Sequence, residues 1–411
     1  MFRYGVRAYI SFRRRTSFFK IAHKEFEREM RQFYSVQYLR AIAALSVVYH
    51  HAASKAGLPT FASAAGVDVF FVISGFIMWT VTENREQTPG QFLWHRVARI
   101  VPTYWLYTFL LLAMVSAGLT QQTGITFGHM LGSLFFIPCH SPDGQPYPVL
   151  YQGWTLNYEM FFYLLFSVAL LAGKTIRLIA ILTTLSLLTL IGTLISSENV
   201  IVRTYTNPIL VEFGFGLLLG YSTKRVDIGR TLSRSLVATG ILGFALVSVA
   251  TIDQPRLLSW GVPAALLVFG GVFYETSGNV VQLRIPRILG DASYSIYLAH
   301  TFVVSALFRV VGQNRYGFVI AAVVASAIVG VISYWLIEKL LLKLARRKIV
   351  FPFVTKAQAR TNLIAVSSPE GIALQMAFVR SPPQSERGLG SRGGPMGRGS
   401  RPSNGNQPFG Q

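Results

Sequence analysis

The sequence contains few of the residues on which disulfide-bonded, metal-binding or secreted proteins depend. Cys139 is the one cysteine in 411 residues, which excludes an intrachain disulfide and leaves the redox compartment open. The seven histidines have no metal-ligand spacing, so no metal site and no permanently bound cofactor is expected. Residues 1–34 are basic but have no apolar core with a cleavage site, so no secretory signal peptide is predicted.

Charged residues are also scarce, at 13% of the chain, whereas 52% of the residues are hydrophobic. This composition is typical of an all-α, polytopic membrane protein and unlike that of a soluble enzyme of this length. Runs long enough to cross a hydrocarbon core predict ten transmembrane helices. Their ranges are 36–53, 67–82, 100–119, 154–172, 176–195, 207–222, 232–252, 258–275, 291–312 and 316–342. The shorter run 125–138 predicts a half-span or an interfacial helix.

Negative charge is the rarer sign, with 17 acidic against 38 basic residues. If the N-terminus lies inside, most basic residues of the membrane region fall on inner loops, which predicts two cytoplasmic termini. The inner set is Arg85, Arg96, Arg99, Lys174, Arg177, Lys224, Arg225, Arg230, Arg234, Arg284 and Arg287. The outer set is Lys55, Arg203, Arg256, Arg309 and Arg315.

The two ends of the chain differ from the membrane region 35–342. Residues 1–34 form a basic extension in which Met30 is an alternative start. Residues 343–411 form a basic tail that is rich in Gly, Ser and Pro after Ser381, so we expect it to be disordered. Its Arg-Gly run resembles RNA-binding tracts, but a solvated tail near anionic lipid is the commoner meaning, and no nucleic-acid partner is expected.

Two polar residues stand out in the first predicted span, Arg40 and His51. An ionisable side chain inside a membrane needs a partner or a function. At about 100° and 1.5 Å per residue, the two share one helix face and are separated by roughly 16 Å along the axis. His50 points about 80° away from that face.

The predicted topology sorts the other polar residues of the spans by depth. His51 falls in the outer half together with four further residues, namely Asp68, Glu159, Glu212 and His300. A histidine beside a carboxylate is suited to general-base catalysis, which makes His51, Glu159 and Asp68 the candidate catalytic group. Arg40, Arg96 and Arg99 fall at the inner boundary, where clustered arginines suit a phosphate-rich ligand.

Each of these residues also has a purely structural alternative. Arg96 and Arg99 could be topology anchors, and Asp68 stands in the first turn of its helix, where a carboxylate is favourable. Glu212 could belong to an ion pair and His300 to the packed interior. Trp154 lies near a span end, where tryptophan commonly marks the interface.

Six segments resemble membrane-bound acyltransferase family 3, particularly its exopolysaccharide and O-antigen acetyltransferase branch. They are QYLRAIAALSVVYHH, GVDVFFVISGFIMW, FLWHRVARIVPTYW, QGWTLNYEMFFY, ILVEFGFGLLLG and LGDASYSIYLAH, in the family's order from about Ser35 onward. The resemblance implies ten transmembrane helices in a bacterial inner membrane. It also implies transfer of an acyl group, usually acetyl, from cytoplasmic acyl-CoA to a hydroxyl of an envelope glycan or its lipid-linked precursor.

The resemblance also implies roles for individual residues. The family's Arg-X10-His pattern corresponds to Arg40 and His51, and its arginines before the third span correspond to Arg96 and Arg99, although this chain has HRVAR where many members have Arg-X-Arg. Glu159 matches the acidic position after the Trp-Thr-Leu signature. On this hypothesis the arginines hold CoA, His51 deprotonates the sugar hydroxyl, and Glu159 balances the imidazolium.

Supporting contacts to the substrates are expected from a wider set of residues: Glu212, His300, Tyr297 and Trp154, with Tyr147, Tyr151 and Gln152 of the outer loop. Direct transfer and a transient acyl-histidine are both open. Two other functions remain alternatives, a proton-coupled transporter, which also uses buried His and carboxylates, and a non-catalytic partner in glycan export. The glycan, the acyl chain and the oligomeric state are not determined by the sequence.

Overall fold

The computed structural model describes residues 33–84, 87–120, 122, 124–249, 255–279, 281–311 and 314–347. The predicted basic extension and tail lie almost entirely outside these ranges. Within them every regular element is helical, so the all-α prediction is confirmed.

Fourteen α-helices follow one another along the described residues. They are α1 Tyr34–Lys55, α2 Gly66–Asn84, α3 Pro89–Ser116, α4 Phe127–Leu134, α5 Gly153–Ala169, α6 Lys174–Leu194, α7 Val200–Tyr205, α8 Val211–Ser222, α9 Gly229–Val249, α10 Val262–Thr276, α11 Arg284–Asp291, α12 Ser293–Val311, α13 Arg315–Ser333 and α14 Lys339–Arg347. Short 3₁₀ turns precede α2 and α8, and π-helical turns at Leu257–Gly261 and Tyr334–Glu338 precede α10 and α14.

Seven helical stretches in the described residues are long and apolar enough to cross a membrane. They are Ser63–Glu83, Pro89–Ser116, Lys174–Leu194, Gly229–Val249, Leu257–Thr276, Ser293–Val311 and Arg315–Ala345. The three other predicted spans form the helices α1, α5 and α8, which are more polar or shorter. The chain is therefore a multi-pass membrane protein. The predicted half-span at 125–138 contains the eight-residue helix α4.

Two predicted boundaries differ from the structure. The third span was expected to begin at residue 100, but α3 begins at Pro89, so Arg96 and Arg99 lie inside the helix. Thr88 starts this helix with a capping box, in which the Thr88 hydroxyl accepts from the Gln91 amide and the Gln91 side chain accepts from the Thr88 amide. The predicted span 291–312 is interrupted at Ala292, where α11 ends and α12 begins.

The helices divide into a central group and a peripheral group. In the stretch Ser63–Glu83 that contains α2, 78% of the apolar window is buried inside the protein, against 22% for α6 and 11% for α9. Apolar faces left open on α6 and α9 are those expected to face lipid. Helix α1 is central, since it contacts α2, α10, α11, α12 and α13. Its face of small residues, which includes Ala44, Val48 and Ala52, is fully buried.

Candidate active site

A cavity opens between α1, α2, α3, α5 and α12. Its wall on α2 runs from Val67 to Met78, which is about 16 Å of helix. One end is lined by arginines and the other by Thr155 and Tyr297. The cavity is therefore an elongated channel along the bundle and not a shallow surface cleft.

The structure brings the three predicted inner arginines into this one cavity. Arg40 projects from α1, while Arg96 and Arg99 are one turn apart on α3 and therefore share a face. Arg40 and Arg96 are only 7% and 3% exposed, and the Arg96 guanidinium lies over the Phe92 ring at 5.6 Å. Burial at this depth is unlike that of a topology anchor, which extends its charge into water.

Glu159 lines the same cavity as the arginines. Its carboxylate accepts hydrogen bonds from the Tyr163 hydroxyl and, at 3.3 Å, from the Ser74 hydroxyl. Arg99 and Arg40 are close enough to attract it electrostatically. Glu159 was expected beside His51, but within the described residues the two make no contact. Glu159 instead compensates positive charge in the arginine-lined end of the cavity.

His51 lies in a cluster of rings near the C-terminal end of α1. Its imidazole is 5.1 Å from the ring of His300, 5.7 Å from the ring of Tyr151 and 5.3 Å from that of His50. His300 is fully buried, and its Nδ1 donates to the Tyr297 carbonyl at 2.6 Å. The proton of the neutral ring is therefore on Nδ1, and Nε2 is left as a lone pair with no partner in the described part of the chain.

Tyr297 connects the cavity with the two imidazoles. It lines the cavity, and its ring lies 5.9 Å from that of His300. Its hydroxyl is fixed by a 2.9 Å hydrogen bond to Thr155 and donates to the Gln152 carbonyl at 3.3 Å. The outer end of the cavity is thus separated from His51 by one aromatic side chain and its neighbour His300.

The loop before α5 reaches His51 through Tyr151. The His129 ring donates to the Tyr147 carbonyl at 3.0 Å, and the Val149 amide donates to Ser133 at 2.8 Å, so α4 holds the loop in place. Burial and the neighbouring Tyr147 raise the pKa of Tyr151 to about 12. The phenol of Tyr151 consequently stays neutral at physiological pH and keeps its proton for hydrogen bonding.

Asp68 has a partner other than His51. It is fully buried and accepts two hydrogen bonds from Arg256, at 2.8 and 3.2 Å. The same guanidinium lies over the rings of Trp260, at 4.5 Å, and Trp154, at 6.0 Å. Glu212 is also fully buried and close enough to Asp68 for the two carboxylates to repel each other. The structure therefore does not bring either carboxylate to His51, and one arginine balances both.

Sequence reasoning missed two members of these networks, Arg256 and Glu338. Glu338 is 1% exposed, accepts a 2.6 Å hydrogen bond from Ser295, and is close enough to Arg99 and Arg40 to attract them. It ends the π-helical turn Tyr334–Glu338, and such turns are frequent at functional sites. A carboxylate inside an apolar span was the signal that could have identified Glu338. Arg256 gave no comparable signal, because it lies at a span end.

The geometry combines a long cavity with a cationic end and a pair of imidazoles beyond its other end. Such an arrangement can hold an elongated ligand with an anionic head and place its far end near a base. Among the described residues, no group of three or more His, Cys, Asp or Glu side chains is arranged to hold a metal ion. The site therefore offers acid–base and electrostatic chemistry from its side chains.

Comparison with known proteins shows which protein family the chain matches. A family model described as an acyltransferase domain, Acyl_transf_3, matches residues 33–338. That range contains every element described above from α1 to the second π-helical turn. No solved structure matches the chain.

Three curated relatives extend the match. The exopolysaccharide production protein ExoZ of Rhizobium meliloti (strain 1021) is 40% identical over 303 residues, which are 72% of this chain and 95% of the relative. The putative peptidoglycan O-acetyltransferase YrhL of Bacillus subtilis (strain 168) is 27% identical, over 73% of this chain and 53% of its own length. The putative membrane-bound transacylase BcsY of Komagataeibacter xylinus is 24% identical, over 83% of this chain and 90% of its own.

Proposed function

Because the chain belongs to acyltransferase family 3, we propose that it is a membrane-bound O-acyltransferase that acts on an extracellular polysaccharide or its lipid-linked precursor. The names of ExoZ and YrhL support a polysaccharide acceptor. The donor is acyl-CoA, acetyl-CoA by preference, and it enters from the cytoplasm. The protein lies in the cell membrane of a bacterial-type cell, with both of its termini on the cytoplasmic side.

The observation that carries the proposal is the cavity that runs from the three arginines to Tyr297. The phosphates of CoA dock on Arg40, Arg96 and Arg99, where guanidinium groups can bind them in a bidentate manner. The pantetheine arm then lies along α2, between Met78 and Val67. The length of that wall, about 16 Å, is comparable to the reach of an extended arm, so the thioester stops beside Tyr297.

The chemical step requires the thioester to pass the Tyr297 side chain at this end of the cavity and to meet the sugar hydroxyl beside His51. His51 accepts the proton of a sugar hydroxyl while the hydroxyl oxygen forms a bond to the thioester carbonyl carbon. The carbon–sulfur bond of the tetrahedral intermediate then breaks, and the CoA thiolate takes the proton back from the imidazolium. The products are the sugar ester and free CoA. A transient acyl group on His51 would use the same side chains in two steps.

His300 acts on this step through His51. Its Nε2 has no hydrogen-bond partner among the described residues, and its ring centroid is 5.1 Å from that of His51. An imidazolium formed on His51 is therefore stabilised by a neighbouring lone pair, which is the role that the sequence had suggested for Glu159. We assign His300 as a positioning residue and His51 as the catalytic base.

The base is tested by acyl transfer with the full chain in membranes, using labelled acetyl-CoA and envelope polysaccharide. His51→Ala should lower the rate by about 10²–10⁴-fold, the usual contribution of a general base. His50→Ala is the matched control, because His50 is adjacent but contacts Ser63, and it should retain most of the activity. A His51→Ala protein of normal abundance that transfers acetyl groups as fast as the wild type would refute the assignment.

The donor site is tested separately by CoA binding in detergent. Arg99→Ala should weaken CoA binding by at least about tenfold, the effect of removing one charged hydrogen-bonding partner. Arg230→Ala, an exposed arginine of the same predicted face, is the control and should bind normally. If the wild type transfers no acyl group from any acyl-CoA but accumulates a solute in vesicles, the transporter alternative would replace this proposal.

A further inference from the structure

A second cleft, of about 550 Å³, lies on the predicted outer side of the protein between the loop before α5, the start of α5, and α7. Its lining includes Tyr147, Trp154, Asn157, Tyr158, Arg203 and Asn207. None of these residues lines the arginine-bearing cavity. The cleft is therefore a distinct site, on the side where the acceptor has to arrive.

We propose that this cleft binds the acceptor glycan and that Arg203 selects a sugar residue that bears an anionic group. The proposal rests on the proposed function, because it assumes a glycan acceptor. It adds the position of the acceptor and its charge class, carboxylate or phosphate. Neither the position nor the charge class of the acceptor is implied by the catalytic histidine or by the donor site.

The lining has the chemistry of a carbohydrate site. Three aromatic side chains, Tyr147, Trp154 and Tyr158, provide apolar surfaces for a pyranose ring, as rings with a polar tip commonly do at binding sites. Asn157 is 5% exposed and lines the cleft with a side-chain amide that can both donate and accept hydrogen bonds. Sugar hydroxyls supply both the donors and the acceptors that it needs.

Arg203 adds a charge that no described residue compensates. It is exposed on α7, and no acidic residue of the described chain forms an ion pair with it. Asn199 caps the helix by accepting from the amides of Ile201 and Val202, so the arginine is held on an ordered turn. A free guanidinium beside a cleft favours a planar carboxylate or a phosphate.

The cleft is also connected to the catalytic base. The ring of Tyr147 lies 4.5 Å from that of Tyr151, and the ring of Tyr151 lies 5.7 Å from that of His51. Two aromatic side chains, Tyr147 and Tyr151, therefore lead from the cleft to His51, so a neighbouring sugar of the bound glycan would reach the base. The neutral phenol of Tyr151 can hydrogen-bond a sugar oxygen at this junction.

The test is equilibrium binding of three related disaccharides to the full chain in lipid nanodiscs. The probes are cellobiose, its uronic acid counterpart and cellobiose phosphate. We expect the wild type to bind one of the two acidic probes at least about tenfold more tightly than cellobiose, the effect of one charge-assisted hydrogen-bonding pair. The acidic probe that binds more tightly identifies the group as carboxylate or phosphate.

Variants separate charge selection from general sugar binding. Arg203→Gln should abolish the preference, Arg203→Lys should keep part of it, and Arg315→Gln, an exposed arginine of the same predicted face, should leave it unchanged. Asn157→Ala should weaken the neutral and acidic probes alike, by about fivefold. Equal binding of neutral and acidic probes by the wild type, failure of both acidic probes to bind, or a preference that survives Arg203→Gln would overturn the proposal.

His51→Ala distinguishes this inference from the proposed function. It should lose acyl transfer but keep the binding preference, since His51 does not line the cleft. An Arg203→Gln protein that no longer prefers the acidic probes but transfers acyl groups normally to neutral acceptors would support the role of the cleft without bearing on the catalytic base. Normal disaccharide selection in a wild type that transfers no acyl group would support the cleft and reject the transferase.

Discussion

Helices α2 and α8 cross closely at Gly75 and Gly216, beside the active-site cavity. A Cβ atom on Gly216 would lie 2.0 Å from the Val72 carbonyl oxygen and 2.6 Å from the Phe76 amide nitrogen. A Cβ atom on Gly75 would lie 2.1 Å from the Phe213 carbonyl oxygen. Small residues allow this approach, which is a common way for membrane helices to associate. We therefore predict that Gly216→Ala strongly disturbs the crossing.

The size of the effect follows from the contacts. Restoring an ordinary separation from the Val72 oxygen requires the helices to move apart by about 1.4 Å, because the contact is with backbone and not with a flexible side chain. Overpacking of this kind costs about 1–3 kcal/mol, and alanine recovers at most about 1 kcal/mol through its better helix propensity. Because backbone cannot give way as a flexible side chain would, the cost lies near the upper end of this range, and the expected net loss is about 2 kcal/mol. Transferase activity should also fall, because α2 carries Ser74 of the cavity wall.

The assay is thermal unfolding of the purified protein in detergent, followed by acyl transfer at a temperature where both proteins are folded. Gly90→Ala is the control, since a Cβ atom there would meet nothing within 4 Å, and it should not lower the unfolding temperature. Gly216→Ala should unfold at a clearly lower temperature than both the wild type and Gly90→Ala. Equal unfolding temperatures for the wild type and Gly216→Ala would show that the two helices are not held at this distance.

Two further predictions concern the outer half of the protein. Arg256→Gln leaves the buried carboxylates of Asp68 and Glu212 without a cation and should destabilise the protein by about 3 kcal/mol. Adding Asp68→Asn should restore part of the lost stability in the same thermal assay. A double variant no more stable than Arg256→Gln would contradict the pairing of Arg256 with Asp68. His300→Asn keeps a donor for the Tyr297 carbonyl but removes the Nε2 lone pair. The rate of acyl transfer should therefore fall at least about tenfold at unchanged stability. A His300→Asn protein that transfers acyl groups as fast as the wild type would limit His300 to a structural role.

Much of the fold could be predicted because the signals are local. Run length and hydropathy located all seven long apolar spans, and the helical period placed Arg40 and His51 on one buried helix. The start of α3 was missed for a local reason as well. Residues 89–99 are polar enough to resemble a loop, and only the capping box at Thr88 shows that the helix begins there.

The partners of the buried charges could not be predicted. The predicted topology gives the depth of each residue in the membrane but not which helices are neighbours. Asp68 and His51 share a depth, yet Asp68 turns toward Arg256 on another helix. Glu159 was placed in the outer half by the same reasoning, and the structure puts it in the arginine-lined cavity. Which helix faces which is decided by tertiary packing, and nothing in the periodicity of one helix encodes its neighbour.

The position of Glu159 changes the interpretation of the arginine cluster. Three clustered guanidinium groups, of which those of Arg40 and Arg96 are buried, would strongly destabilise the empty protein without compensation, so a site made only of arginines could not exist before its ligand binds. Glu159 and Glu338 both attract Arg40 and Arg99, and they supply the negative charge that the empty cavity needs. An incoming phosphate must then compete with these carboxylates for the same guanidinium groups. If the proposed CoA donor binds here, its affinity is set by the difference between the attraction of these carboxylates and that of the phosphates for the same guanidinium groups. Such a balance would keep the site stable when empty and allow the product CoA to leave.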